Sequence, residues 1–136
     1  MSKMFFSDNG STAVEIAMKM AYQHKIMQNK GSKFVAFTKA YHGDTCGAMS
    51  VSGENIFSKV YGGMKFEILR AGQGTSIQDP IEVWTADFCK LVRERGHEIG
   101  AVIIEPLIQG AGGMIFWPVE ALRKIVEISR NNGILV

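Results

Sequence analysis

The strongest constraint on this chain is an alternation: short runs rich in β-branched and aromatic residues are separated by longer stretches of helical periodicity. That is the pattern of an α/β layer with a mostly parallel sheet. Candidate strands are Lys3 to Phe6, Lys33 to Phe37, Lys65 to Leu69, Ala101 to Glu105 and Ile134 to Val136. A first helix is expected over Thr12 to Gln28, where Val14, Ala17, Met18 and Ala21 recur at i, i+3, i+4 and i+7. Thr12 with Glu15 reads as a capping box at its start. A second helix follows Asp79-Pro80, with Trp84, Phe88, Leu91 and Val92 on one face and Gly96 as its stop. A third starts near Pro118, presents Leu122, Ile125 and Val126, and ends at Asn131-Asn132-Gly133. No internal repeat or low-complexity segment is present.

Composition narrows the function classes. With 136 residues, 46% of them hydrophobic, the chain makes one domain or part of a larger one. Its net charge of +2 comes from scattered residues without basic, aromatic-interleaved stretches, so no nucleic acid is expected as a partner. Apolar runs such as Ala101 to Ile104 are far shorter than the roughly 20 residues that span a bilayer, so no membrane is expected either. Met1 to Phe6 lacks the extended apolar stretch of a secretory signal, which leaves a cytoplasmic location as the default. Cys46 and Cys89 form no paired motif and have no histidine at metal-ligand spacing, so neither a disulfide nor a metal site is expected. The sequence begins inside a strand-like run and closes on Gly133-Ile134-Leu135-Val136, a run suited to a buried sheet. Both ends read as cut from a longer chain.

Three segments carry candidate chemistry. Ser7-Asp8-Asn9-Gly10-Ser11-Thr12 falls between an expected strand and an expected helix. Amides at such a helix end, the Ser11 and Thr12 hydroxyls and the small Gly10 suit a phosphate, or else the segment is a well-capped helix without ligand. The glycine spacing is neither that of a P-loop nor that of a dinucleotide fingerprint. Tyr41-His42-Gly43-Asp44-Thr45 follows the second strand, where ligands lie in open α/β sheets. Tyr41 there either stacks on a flat cofactor or is a half-buried loop aromatic, and His42 reads as a hydrogen-bonded structural histidine. Glu105-Pro106 puts a carboxylate at a strand end, to orient a ligand or to face water or a cation, and Gly110-Ala111-Gly112-Gly113 makes a loop that either approaches a ligand or only turns.

Taken in order, Ser7 to Ser11, Tyr41 to Thr45 and Ile103 to Gly113 resemble the class III, pyridoxal-phosphate-dependent aminotransferases, and the resemblance extends over essentially the whole chain. It implies part of the mostly parallel-sheet large domain of a fold type I transferase, spanning residues 1–136. It also implies that Gly10 and Ser11 hold the phosphate of pyridoxal 5'-phosphate and that Tyr41 stacks on its ring and touches substrate. Asp44 and Glu105 would support the cofactor. Ala111 stands where ornithine, acetylornithine and 4-aminobutyrate aminotransferases carry Glu. Together with Gly47 to Val51 and Gln109 to Met114, it makes the chain similar to the branch that forms 7,8-diaminononanoate in biotin biosynthesis. The implied substrates are S-adenosylmethionine and 8-amino-7-oxononanoate, with the donor, S-adenosylmethionine or lysine, left open. Broad-specificity omega-aminotransferases share parts of the pattern.

The resemblance identifies no catalytic residue. The family's Schiff-base lysine lies in a later segment, and the aspartate that pairs with the pyridine nitrogen follows the strand ending here at Val136. The 136-residue chain is therefore expected to be inactive alone, and its full-length parent is expected to be a homodimer. Two other readings stand beside this one: a non-catalytic module that binds a phosphate-bearing ligand or a partner chain, and a complete enzyme of another kind.

Overall fold

The computed structural model describes residues 3–54 and 58–136. Among the described residues four α-helices, α1 (Gly10–Ile26), α2 (Cys46–Val51), α3 (Ile81–Arg95) and α4 (Val119–Asn131), surround a parallel sheet of β1 (Lys33–Phe37), β2 (Leu69–Ala71) and β3 (Ile99–Val102). The strand order is β2-β1-β3, and a separate antiparallel hairpin joins β4 (Ile108–Gln109) to β5 (Ile115–Phe116). The α/β class with a mostly parallel sheet is the one the alternation predicts.

β1 sits in the middle because it has no polar side to spare. Val35, Ala36 and Phe37 are fully buried, and successive side chains enter opposite cores. Val35 and Phe37 join the larger core with Trp84, Phe88, Val92 and Ile125 from α3 and α4. Ala36 joins the smaller one with Met18 of α1 and Val51 of α2. The result is a three-layer arrangement with helices on both faces. At the heart of the larger core, Trp117 meets Phe37 edge-on at 5.0 Å and Trp84 at 4.7 Å, separations typical of favourable aromatic pairs. Lys25, almost fully buried at the end of α1, donates to the Gly133 carbonyl and ties that helix to the turn after α4.

Several boundaries move. β1 has the expected limits, but β2 begins where Lys65 to Leu69 was expected to end, because Val35 pairs with Leu69 and Phe37 with Ala71. β3 starts two residues early, since pairing with β1 opens at Lys33 and Ile99. Glu105 therefore lies beyond the strand in the following loop. Lys3 to Phe6 forms no strand: it has no neighbour to pair with among the described residues, and Phe5 and Phe6 are 71% and 83% exposed. Of Ile134 to Val136, a single parallel bridge from Leu135 to Ala101 forms. α1 starts at Gly10, and its capping box joins Asn9 to Thr12, whose N–H and Oγ1 meet Asn9 at 3.0 and 3.3 Å. The expected Thr12–Glu15 box is displaced because the helix begins two residues sooner, leaving Glu15 too far along to reach back. Residues 110–114 close the β4–β5 hairpin.

Trp84 has no exposed surface and packs against the aromatic cluster. Trp84→Ala should lower stability by about 3–5 kcal/mol through the cavity it leaves. Val83→Ala, next to it but 52% exposed, should stay within about 0.5 kcal/mol. Urea unfolding midpoints compare the two, and equal shifts would contradict this core.

Candidate functional site

Loops following the parallel strands converge at one edge of the sheet. Glu105 holds two of them: its Oε1 accepts the Tyr41 N–H at 2.8 Å and its Oε2 the Gly110 N–H at 3.1 Å. Tyr41 donates its hydroxyl to Asp44 Oδ2 at 2.7 Å, and the Asp44 N–H reaches Ser11 Oγ at 3.3 Å. Ser11, Asp44, Tyr41 and Glu105 thus form one continuous hydrogen-bonded chain across three segments that are distant in sequence. Gly43, at φ +123, is the turn that permits it, since a Cβ there would lie 2.1 Å from Ser11 Oγ.

Tyr41 and Asp44 line a cleft of about 810 Å³ with Cys46, Met49, Tyr61 and Ala111. Gly10 and Ser11 do not line it and are joined to it only through Asp44. A second, more apolar groove of about 640 Å³ runs past Met18, Phe34, Phe66 and Ile68. It contains none of Gly10, Ser11, Tyr41, Asp44 or Glu105, so the chemistry belongs to the first cleft, where polar groups from several loops converge.

At the start of α1 the Thr12 N–H is occupied by Asn9, so the open amides lie earlier than Ser11 and Thr12 together would suggest. Among the described residues, the N–H groups of Gly10 and Ser11 have no partner, and the Ser11 hydroxyl accepts a bond without an acceptor for its own proton. A Cβ built on Gly10 would meet nothing within 4 Å. Two free amides, a free hydroxyl proton and open space at a helix N-terminus fit a phosphate group.

The hydrogen bond to Asp44, followed by burial and the Asp44 charge, raises the Tyr41 phenol above its ordinary range. His42 is turned inward, its backbone N–H held by Ser52 Oγ at 2.8 Å and its Nε2 buried without a partner. Burial, then the nearby Arg70, lowers its pKa to about 4, so the ring is neutral at physiological pH and has a structural setting. The sequence reading gave Glu15 only a capping role at α1, whereas it accepts from Thr45 Oγ1 and from the Gly47 and Ala48 amides. The available signal was spacing: Glu15 lies four residues after Ser11, on the same helix face. Also missed were Gln73 and the fully buried Gln109, linked at 2.7 Å.

A three-layer α/β domain with an open helix N-terminus beside an aromatic-lined cleft, past the ends of parallel strands, has the architecture of the fold type I pyridoxal-phosphate transferases. The chain matches the sequence model of Aminotransferase class-III over residues 1–136 and belongs to that family. It is 35% identical to the adenosylmethionine-8-amino-7-oxononanoate aminotransferase of Nitratidesulfovibrio vulgaris, over 100% of the chain and 27% of the relative. To the protein of the same name from Geobacter sulfurreducens it is 38% identical, over 98% of the chain and 32% of the relative. The crystal structure of the adenosylmethionine-8-amino-7-oxononanoate aminotransferase from Methanocaldococcus jannaschii superposes with a TM-score of 0.82 and 32% identity, covering 95% of this chain and 30% of that one. The chain therefore spans less than a third of the length of these relatives.

Glu105→Ala should leave the Tyr41 and Gly110 amides without their acceptor and cost about 2–3 kcal/mol, with Glu105→Gln costing less because one oxygen remains. Denaturant unfolding of the two variants tests the clamp, which fails if both match wild type. His42 adds a pH dependence. Its folded pKa lies below the unfolded value of 6.5, so the stability it contributes is complete above pH 6.5 and is lost as pH falls towards about 4. Unfolding free energies at pH 7 and pH 4.5 should differ by less in His42→Gln than in wild type, and an equal difference would remove His42 as the cause.

Proposed function

We propose that residues 1–136 are part of the cofactor-binding large domain of an aminotransferase that moves an amino group from S-adenosylmethionine to 8-amino-7-oxononanoate, giving 7,8-diaminononanoate. The observation that carries this reading is the hydrogen-bonded chain from Ser11 through Asp44 and Tyr41 to Glu105, beside an open helix N-terminus. The names of the related proteins supply the substrates.

In this reading Gly10 and Ser11 hold the phosphate of pyridoxal 5'-phosphate through their amides and the Ser11 hydroxyl. Bound there, the cofactor supplies an electron sink for the carbon that loses or gains the amino group. Tyr41 gives its ring a stacking surface, and its phenol, kept protonated by Asp44, is available to orient substrate. Asp44 acts on the cofactor indirectly, by fixing the phenol and bonding Ser11. Glu105 is likewise indirect: both of its oxygens are committed to backbone amides, and it holds the Tyr41 loop and the hairpin loop at a fixed separation. The proton-moving lysine and the rest of the substrate site lie outside these residues, and the full-length protein works as a homodimer.

Ser11→Ala should weaken binding of pyridoxal 5'-phosphate by about 1–2 kcal/mol, the loss of one bond to a charged group. Tyr41→Phe should retain cofactor affinity within about threefold, because the stacking face survives. Titration followed by absorbance measures both, and an unchanged affinity in Ser11→Ala would remove Ser11 from the phosphate site. The 136-residue chain should bind the cofactor without forming 7,8-diaminononanoate. Product formation by the chain alone would assign the transferring lysine to one of its own. Turnover by the full-length protein with other amines and not with S-adenosylmethionine would place it in another branch of the family.

A further inference from the structure

α2 lacks a cap of its own. Thr45 occupies its N-cap position and makes no cap bond, spending its hydroxyl on Glu15 Oε1 at 2.6 Å. That same oxygen accepts the Gly47 N–H at 2.5 Å and the Ala48 N–H at 3.2 Å. A carboxylate of α1 therefore does for α2 what a capping side chain normally does for its own helix, and its charge faces the positive helix end. The contact leaves no room for a side chain at residue 47, where a Cβ would lie 2.4 Å from Glu15 Oε2. Burial raises the Glu15 pKa, but the bonds from Thr45, Gly47 and Ala48 outweigh it and hold the group below its ordinary range.

The loop from β1 to α2 carries Tyr41 and Asp44. Glu105 holds it at the Tyr41 amide and Ser11 at the Asp44 amide. The far end is held to α1 by Glu15 at three points. We propose that Glu15 is a positioning residue that locks the Tyr41–Asp44 loop to the phosphate-binding end of α1, keeping the stacking ring and the phosphate site at a fixed separation. The proposal rests on the cofactor reading above and extends it, since the hydrogen bonds of Glu15 go to residues 45–48 and to none of Gly10, Ser11 or Tyr41.

The test compares Glu15→Ala and Glu15→Gln with wild type in the full chain, using inorganic phosphate and pyridoxal 5'-phosphate as separate probes and following amide exchange. In Glu15→Ala the phosphate affinity should stay within about twofold, while pyridoxal 5'-phosphate should bind about tenfold more weakly, as expected when one charged interaction is lost. Glu15→Gln, which keeps an oxygen acceptor, should restore most of that loss. Exchange at Asp44, Gly47 and Ala48 should accelerate together in Glu15→Ala. In wild type, protection at Gly47 and Ala48 should be present above the ordinary Glu range and lost as pH falls below it, a dependence absent from Glu15→Gln. Faster exchange at Gly47 and Ala48 with unchanged pyridoxal 5'-phosphate affinity would overturn the proposal and make Glu15 a plain helix cap. Equal losses for both probes would also overturn it, by indicating general loss of structure. If wild type binds no pyridoxal 5'-phosphate, the cofactor reading fails, and exchange at Asp44 alone decides the lock: acceleration in Glu15→Ala supports it and no change removes it.

Discussion

Burial of β1 between β2 and β3 sets the terms for everything else in the structure. A strand hydrogen-bonded along both edges and covered on both faces can carry only apolar side chains, as Val35, Ala36 and Phe37 do. Polar chemistry is then confined to the strand ends, where the chain emerges from the core. Residues 38–45 leave β1 at the edge to which Gln73, after β2, and Glu105, after β3, also belong. Thr38 bonds Gln73 at 3.1 Å and Gln73 bonds Gln109 at 2.7 Å, so these ends are tied to one another before any ligand is considered.

The strands themselves are short, and the loops around them are held by carboxylates that accept backbone N–H groups. Glu105 takes Tyr41 and Gly110, Glu15 takes Gly47 and Ala48, Asp79 takes Thr75 and Ser76, and Asp87 takes Gly72. A bond to a charged acceptor is about twice as strong as a neutral one, so a few of them can fix loops that a sheet ladder does not reach. For Glu15 and Asp79, both held below the ordinary carboxylate range, that contribution is present above the range and lost as pH falls through it.

Periodicity made the long elements legible. β1 has its expected limits, and α3 and α4 fall where Pro80, Pro118 and the glycines after them indicate. What periodicity could not show was pairing. Lys3 to Phe6 has the composition of a strand and, among the described residues, no partner to make it one, while α2 is too short at six residues to show a period and depends on Glu15 from another helix. The candidate residues Ser11, Tyr41, Asp44 and Glu105 do come together, as their positions after strands and before a helix suggested. Their bonding was not legible: the sequence gives no sign that both oxygens of Glu105 face backbone amides, or that the capping partner of Thr12 is Asn9. Such bonds depend on which loops meet, a property of the tertiary arrangement alone.

Two helix N-termini stand close together near the cleft, and the difference between them gives the site its direction. At α2 the early amides are closed by Glu15, whose negative charge would also repel an anion. At α1 the Gly10 and Ser11 amides have no partner among the described residues, and Asn9 reaches only as far as Thr12. An anionic group approaching this edge of the sheet therefore finds one favourable helix end and one occupied by a carboxylate. On the cofactor reading proposed here, that asymmetry fixes which end of the ligand goes where. With the phosphate held at α1, Tyr41 would offer the ring its stacking surface, and the same carboxylate that closes α2 holds the loop on which Tyr41 stands.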